Sequence, residues 1–428
     1  MPRSHSLAHV VVLAVVLAVA VLSLSGCSDS SSPPSSEAVT LHVFDQTNQP
    51  VATNPEWAAF QDGSKPWAVL APTATGVYTA TVTDTKGRFG FACFADGDLH
   101  LQYGTTAGGT SLACYLDTGL SRATGRLADK RAMHAIHGWI AYDFSPGDSM
   151  ISMDRGRSSS APITSYWFTV PDGLHDLVVS DNNWGPPRLV NWLYLERGLD
   201  VQGDLLHDVT VAAAQRVMLE AGATLQVTGE TADVGADIGL LTANGTYALL
   251  AHYNTVTDGV AAFRSVPVAA MASGDRYEVT VTRGRWQRTG CFGSVARMAV
   301  NVPAGDFATF MVGTADAGGA RYPVFSGLSE PGGRGYFMYC GAGVYFVDAI
   351  VSSDWLAANG TTSCQVPDLT GLAGWQAGWS IPAGTAITDQ DAVFLDGNVS
   401  LAACARQYFN DGLVPLVAGE WVSTLWSE

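Results

Sequence analysis

Residues 77–94 read VYTATVTDTKGRFGFACF, two runs of β-branched and aromatic residues separated by Asp84-Thr85-Lys86-Gly87. Runs of this kind, joined by the Asp and Gly that a tight turn needs, mark the two strands of a hairpin. The same pattern continues on both sides. VTLHVF, WAAF and WAVL precede it, LHLQY and SLACYL follow it, and QTNQP, QDGSK, APTATG, ADGD and TTAGG lie between them. Seven short strands within 39–118 predict a β-sandwich.

Strand runs recur to the end of the chain without a sustained helical period. HAIHGWIAYDF, ITSYWFTV and RLVNWLYLER open a second sandwich-like segment over 131–211. ATLQVTG, TYALLAHY, RYEVTVT and ARMAVNV fill a third β segment over 212–313, and a Gly- and aromatic-rich β segment occupies 320–428. The predicted fold class is all-β, with tandem β-sandwich domains of Ig-like or transthyretin-like type.

The amino terminus is of another kind. Arg3 precedes an apolar run from Val10 to Leu22 that is shorter than the ~20 residues of a membrane span, so 1–26 is expected to be a signal peptide. The string Leu24-Ser25-Gly26-Cys27 resembles the lipobox of bacterial lipoproteins, which implies cleavage before Cys27 and lipidation of its thiol. By the sorting rule of enteric bacteria, Ser28 implies an outer-membrane lipoprotein, facing the periplasm or the medium. Residues 27–38, with SDSSSSPPSSE, read as a flexible spacer. The opening VTLHVFDQTNQPV, together with WAAFQDG and VYTATVTDTKGRFGFACF, resembles carboxypeptidase-regulatory-like and transthyretin-like sandwiches of bacterial surface lipoproteins. That resemblance implies display rather than catalysis.

Six cysteines remain after Cys27, and an even number in an oxidising compartment predicts disulfides. Cys93 and Cys114 stand alone in the first segment and are expected to pair. Cys291, Cys340, Cys364 and Cys404 supply two further bridges by any of three pairings. No cofactor motif and no metal motif stands out.

A formal charge of −17 argues against nucleic acid as a partner, because such binding rests on neutralising phosphates. The membrane, through the lipid, and a glycan or other envelope component are the expected partners. Composition leaves the oligomeric state open. HExxH, Walker A, GxSxG and SxxK motifs are all missing from the sequence, which weighs against the familiar hydrolases.

Two features suggest a ligand site. The basic cluster Arg276, Arg283, Arg285, Arg288 and Arg297 surrounds Trp286, and guanidinium groups pair well with anions. Trp375 and Trp379 sit among glycines in GLAGWQAGWSIP, where indole faces could stack on sugars. Arg285, Trp286, Arg288, Trp375 and Trp379 are therefore the expected ligand-binding set, with core filling as the competing reading of the tryptophans. His134 and His137 lie three apart on a strand, so they face opposite ways and do not chelate together. Asp389, Asp391, Asp396 and Asn398 could offer oxygens to calcium or simply shape a turn. The expected function is a non-catalytic binding or structural role in the cell envelope. A polysaccharide-directed hydrolase with its site in the C-terminal half, or a subunit of a surface assembly, are the alternatives.

Overall fold

The computed structural model describes residues 36–426 apart from 45–50, 52, 96, 116–132, 161, 182–184, 186, 305–309, 331 and 410–415. The expected signal peptide, Cys27 and nearly all of the spacer lie outside the described residues.

The chain is all-β, with two short α-helices among the described residues. Each of the seven runs in the first segment forms a strand: Glu37–Phe44, Trp57–Asp62, Ala68–Val69, Val77–Val82, Arg88–Ala95, Asp98–Thr105 and Ser111–Tyr115. In Glu37–Phe44, Val39, Leu41 and Val43 point inward while alternate residues face out, as a period of two dictates. Arg88–Ala95 is buried along almost its whole length because both of its faces are covered. Ala92 and Phe94 join one core, and Phe91, Cys93 and Ala95 join another.

This segment divides into two sheets. Val77–Val82, Glu37–Phe44 and Ser111–Tyr115 form a three-stranded sheet. The other strands belong to a sheet of thirteen that runs Arg188–Leu189, Tyr247–Tyr253, Val234–Leu241, Arg276–Arg283, Trp286–Phe292, Trp421–Trp426, Asp389–Gly397, Gly335–Ala342, Tyr345–Ser352, Asp98–Thr105, Arg88–Ala95, Trp57–Asp62, Ala68–Val69. All four sequence segments thus contribute to one sheet, the second only through Arg188–Leu189. Its main core lies on one face, beneath the three-stranded sheets built on Glu220–Gly229 and on Ala320–Ser326.

The first segment is tied to the C-terminal one by more than strand pairing. Tyr345–Ser352 runs parallel to Asp98–Thr105, and buried His100 bonds Asp348 through Nδ1, 2.7 Å from Oδ2. Helix α1 (Ser353–Asn359) is capped at its start by Ser352 and at its end by Gly360, whose φ of 63° suits a residue without a Cβ. The 84–88 turn completes the far end of α1. Lys86 Nζ donates to the Ala358 carbonyl at 2.6 Å, and Arg88 Nη1 donates to Asn359 Oδ1 at 2.8 Å. Cations are favoured at this end of a helix because its free carbonyls carry partial negative charge.

Most of residues 133–211 build a sandwich of their own, although Arg188–Leu189 joins the long sheet. A five-stranded sheet centred on Gly173–Asp181 faces a sheet made by Ser165–Pro171, Met133–Tyr142 and Leu205–Leu206, and Val209–Val211 extends the pairing along Met133–Tyr142. Ile136, Ile151, Met153, Leu177 and Val201 fill its core. Among the described residues, no helix is long and apolar enough to cross a membrane.

The cysteines differ from expectation. Cys291, Cys340, Cys364 and Cys404 are separate buried thiols, and no disulfide joins them. They lie on different elements: the Trp286–Phe292 strand, Gly335–Ala342, Ser363–Gln365 and helix α2 (Leu401–Phe409). Cys340 and Cys364 are packed in the main core, and Cys291 and Cys404 in the core beneath α2. Burial pushes the Cys291, Cys364 and Cys404 thiols up to about 12 and that of Cys340 to about 11. They behave as small apolar plugs, which counting cysteines does not distinguish from bridging ones. The side chain of Cys114 lies outside the described residues, and so does its pairing with Cys93.

Candidate functional site

The residues expected to bind ligand do not form one surface. Trp286 is buried in the main core. Arg285 Nη1 donates to the Trp426 carbonyl at 3.0 Å, and the Arg288 guanidinium lies 3.6 Å over the Trp421 ring. Burial lowers the pKa of Arg288, against the pull of nearby Asp396. Arg276 and Arg283 bond the carbonyls of Gly274 and Pro303, and the Arg297 side chain lies outside the described residues.

Trp375 and Trp379 sit elsewhere. Trp379 stacks on Phe94 at 4.2 Å, Trp375 meets Trp57 edge-on at 5.0 Å, and the two indoles meet each other at 5.4 Å. Trp375 Nε1 donates to Ser380 Oγ, and Trp57 Nε1 to the Ala373 carbonyl. This half-buried aromatic knot fastens the C-terminal loop onto the first segment. The strand of Trp286 and that of Phe94 are six steps apart in the long sheet, about 29 Å at the usual ~4.8 Å per strand, so the two groups cannot share a ligand. Asp396 and Asn398 also serve the fold. Asn398 Nδ2 donates to the Gly419 carbonyl, its Oδ1 accepts from Trp421 N, and Asp396 lies near Arg288 and Arg334.

Exposed aromatic surface is found instead on the 133–211 sandwich. Trp139 and Trp167 are each 65% exposed. On Met133–Tyr142, Ile136 and Ile140 point into the core, so His137 and Trp139 point out. On Ser165–Pro171, Tyr166, Phe168 and Val170 point in, which leaves Trp167 outside. Trp167 lies directly across from His137 and Trp139 across from Ser165, so the two tryptophans are diagonal neighbours, with Cα atoms about 7–8 Å apart in such a pair. The His137 imidazole stacks on the Trp167 indole at 4.7 Å and 18°. Leu206, 64% exposed, is next to His137 on the third strand.

The border of this face is polar. Asp208 Oδ1 accepts Trp139 N and Asp204 Oδ1 accepts Ala135 N, both at 2.9 Å. His134, on the other side of its strand from His137, pairs with Asp172 at 2.5 Å. Gly138 makes the edge possible, because a Cβ there would lie 1.9 Å from the His207 carbonyl oxygen. That close approach lets the 205–211 segment run along the strand and place Leu206 beside His137 and Asp208 beside Trp139. The alternation of HAIHGWIAY and SYWFTV carries the signal for both tryptophans, since each falls out of phase with the core residues around it.

No protein-family model matches the chain, and no curated protein does. Among solved structures, a calcium-stabilised adhesin with which an Antarctic bacterium binds ice aligns over 87% of this chain and 93% of its own, at 10% identity and a TM-score of 0.15. A DUF3823 family protein from Bacteroides ovatus aligns over 35% of this chain and 91% of its own, at 18% identity and a TM-score of 0.13. A streptococcal ancillary pilin aligns over 62% and 98%, at 10% identity and a TM-score of 0.12. At such scores the strands do not superpose on a shared architecture, so these likenesses transfer neither an arrangement of domains nor a function.

Proposed function

We propose that the chain is a non-catalytic envelope lipoprotein whose 133–211 sandwich binds extended carbohydrate on the face formed by Trp139, His137, Trp167 and Leu206. The observation that carries this reading is the pair of adjacent tryptophans left 65% exposed on a well-packed sheet. Large apolar side chains on the surface mark interaction sites when they are contiguous. Indole faces suit pyranose rings, whose CH groups shed water against the ring while their hydroxyls remain free for hydrogen bonds. Asp204 and Asp208 stand at the border where those hydroxyls would lie. The face is a sheet surface rather than a pocket, which fits a chain lying across it better than a single sugar inserted end-on.

Anchoring through Cys27 and placement in the outer membrane belong to the same proposal. They rest on the LSGC string, Ser28 and the spacer, which would hold the sandwich clear of the lipid.

Affinity electrophoresis of the full chain through gels containing soluble envelope and plant polysaccharides tests the binding reading. Retardation in at least one gel is expected. If no polysaccharide retards it, while light scattering shows self-association that Trp167→Ala abolishes, the face is a protein interface and the carbohydrate reading fails.

A further inference from the structure

A second site lies far from the aromatic face, where distant parts of the chain meet. A cleft of about 130 Å³ is lined by the end of Asp98–Thr105, the Gly108-Gly109 turn, Gly333-Arg334, the start of α1 with Ser352 and Asp354, and the start of α2 with Ser400, Leu401 and Ala402. Its polar groups are arranged by charge. Arg334 is held through Nε, which donates to the Gly397 carbonyl at 3.0 Å. Ser400 caps α2 by accepting from Ala403 N, and helix geometry provides no intrahelical acceptor for the N–H groups of Leu401 and Ala402. A guanidinium and a helix start of nine residues therefore offer donors to an anionic group. Asp354 brings a negative charge to the same cleft, yet no salt bridge joins it to Arg334.

Gln102 carries an independent sign of a ligand. It is 5% exposed, it lines the cleft, and its carboxamide oxygen has no hydrogen-bond partner. A buried carbonyl left without a donor is costly, which makes such atoms rare in folded proteins. Gln102 shares a sheet face with the core beneath α2, since it pairs with Ile350, so its side chain lies on the α2 side of the sheet.

We propose that this cleft binds a small free α-amino acid. Its carboxylate meets Arg334 and the first N–H groups of α2, and its ammonium meets Asp354 and the Gln102 carboxamide oxygen. A zwitterion answers both charges and the unmet acceptor, whereas a plain anion would face Asp354 and a plain cation would face Arg334. The volume sets the size limit. Typical ligand pockets run to about 300–1,000 Å³, so this one suits glycine, alanine or serine and excludes aromatic and long basic side chains.

Isothermal titration of the full chain with glycine, L-alanine, D-alanine and tryptophan, set against acetate, methylammonium and inorganic phosphate, tests the proposal. Saturable one-site binding of at least one small amino acid is expected, with none for tryptophan, acetate or methylammonium at the same concentrations. Asp354→Asn, at an exposed helix start, and Arg334→Lys should each weaken that binding at least tenfold with the melting temperature nearly unchanged. Gln102→Leu should weaken it while raising the melting temperature of the unliganded protein, which keeps a failure to fold distinct from a failure to bind. Acetate or phosphate binding as tightly as glycine, and more tightly after Asp354→Asn, would make this an anion site and overturn the proposal. So would the absence of heat from every amino acid with a folded protein.

Discussion

Arg155 reaches out of the 133–211 sandwich to form a two-pronged ion pair with Glu278 of the long sheet, at 2.5 Å for Nη1–Oε1 and 2.8 Å for Nη2–Oε2. Glu278 is only 3% exposed, and the Arg155 guanidinium also lies 5.6 Å over the Tyr247 ring. Beside it, Arg197 Nη2 bonds Asp275 at 2.6 Å and Tyr247 N donates to the Asp154 carbonyl. These contacts orient the aromatic face relative to the rest of the molecule. Removing one partner of a buried pair strands the other charge, so Arg155→Met is expected to cost about 3–5 kcal/mol. Arg155→Met with Glu278→Leu should recover much of that loss. Denaturant titrations of the two variants check this, and equal destabilisation of both would show that the charge itself is not at issue.

The knot of Trp57, Phe94, Trp375 and Trp379 makes a different prediction. Trp379→Ala removes the ring stacked on Phe94 and should destabilise the chain toward the lower end of the about 3–5 kcal/mol seen for core aromatics, because Trp379 is half-buried. Thermal melts read this directly. A melting temperature unchanged for both Trp379→Ala and Trp375→Ala would mean that the loop is not fastened there.

Thiol chemistry follows from burial. The thiolate is the reactive form, and a buried thiol with a raised pKa forms little of it. Cys291, Cys340, Cys364 and Cys404 should therefore resist a thiol-specific chromophore in the native protein at pH 8. They should yield at least four equivalents in guanidinium without added reductant. Zero equivalents in the denatured protein would restore the disulfides that the cysteine count suggests.

Acid should loosen the hold on α1. The Arg88 side chain beside Asp84, together with backbone donors, draws its carboxyl down from 3.8 to about 2. A group that binds its proton less tightly when folded stabilises the fold fully above its unfolded value and loses that contribution as pH falls through its folded one. The 84–88 turn and its bond to Asn359 should thus be intact at pH 5 and weaken between pH 4 and pH 2. Hydrogen exchange at residues 84–88 and 356–360 measures it, and protection unchanged across that range would contradict the assignment.

Much of the fold was legible in local patterns. All seven strands of the first segment were marked by β-branched runs and turn residues, because those signals act within a few residues. The sharing of one sheet by all four segments was not, since nothing local in Tyr345–Ser352 specifies Asp98–Thr105 as its parallel neighbour. Helix α1 carries its own signs, Ser352 before SDWLAAN and Gly360 after it, yet a span of seven residues is too short to show a period. For the aromatic face, the signal is parity. Trp375 and Trp379 drew notice through their glycine neighbours, but glycine makes room for packing as readily as for a ligand. Trp139 and Trp167 were exposed by alternation alone, and assigning each strand residue to a face would have found them. The unmet oxygen of Gln102 has no local signature, since it arises where segments more than 200 residues apart in sequence close around it.

If Trp139 and Trp167 hold carbohydrate, loss of both indoles must remove most of that binding. The most direct measurement is the affinity of the full chain and of the Trp139→Ala, Trp167→Ala double variant for the polysaccharide that most retards the protein, with melting curves of both. Exposed side chains contribute little to stability, usually within about 0.5 kcal/mol, so the melting temperature should barely move while affinity falls at least tenfold. Undiminished binding by a folded double variant would contradict the account.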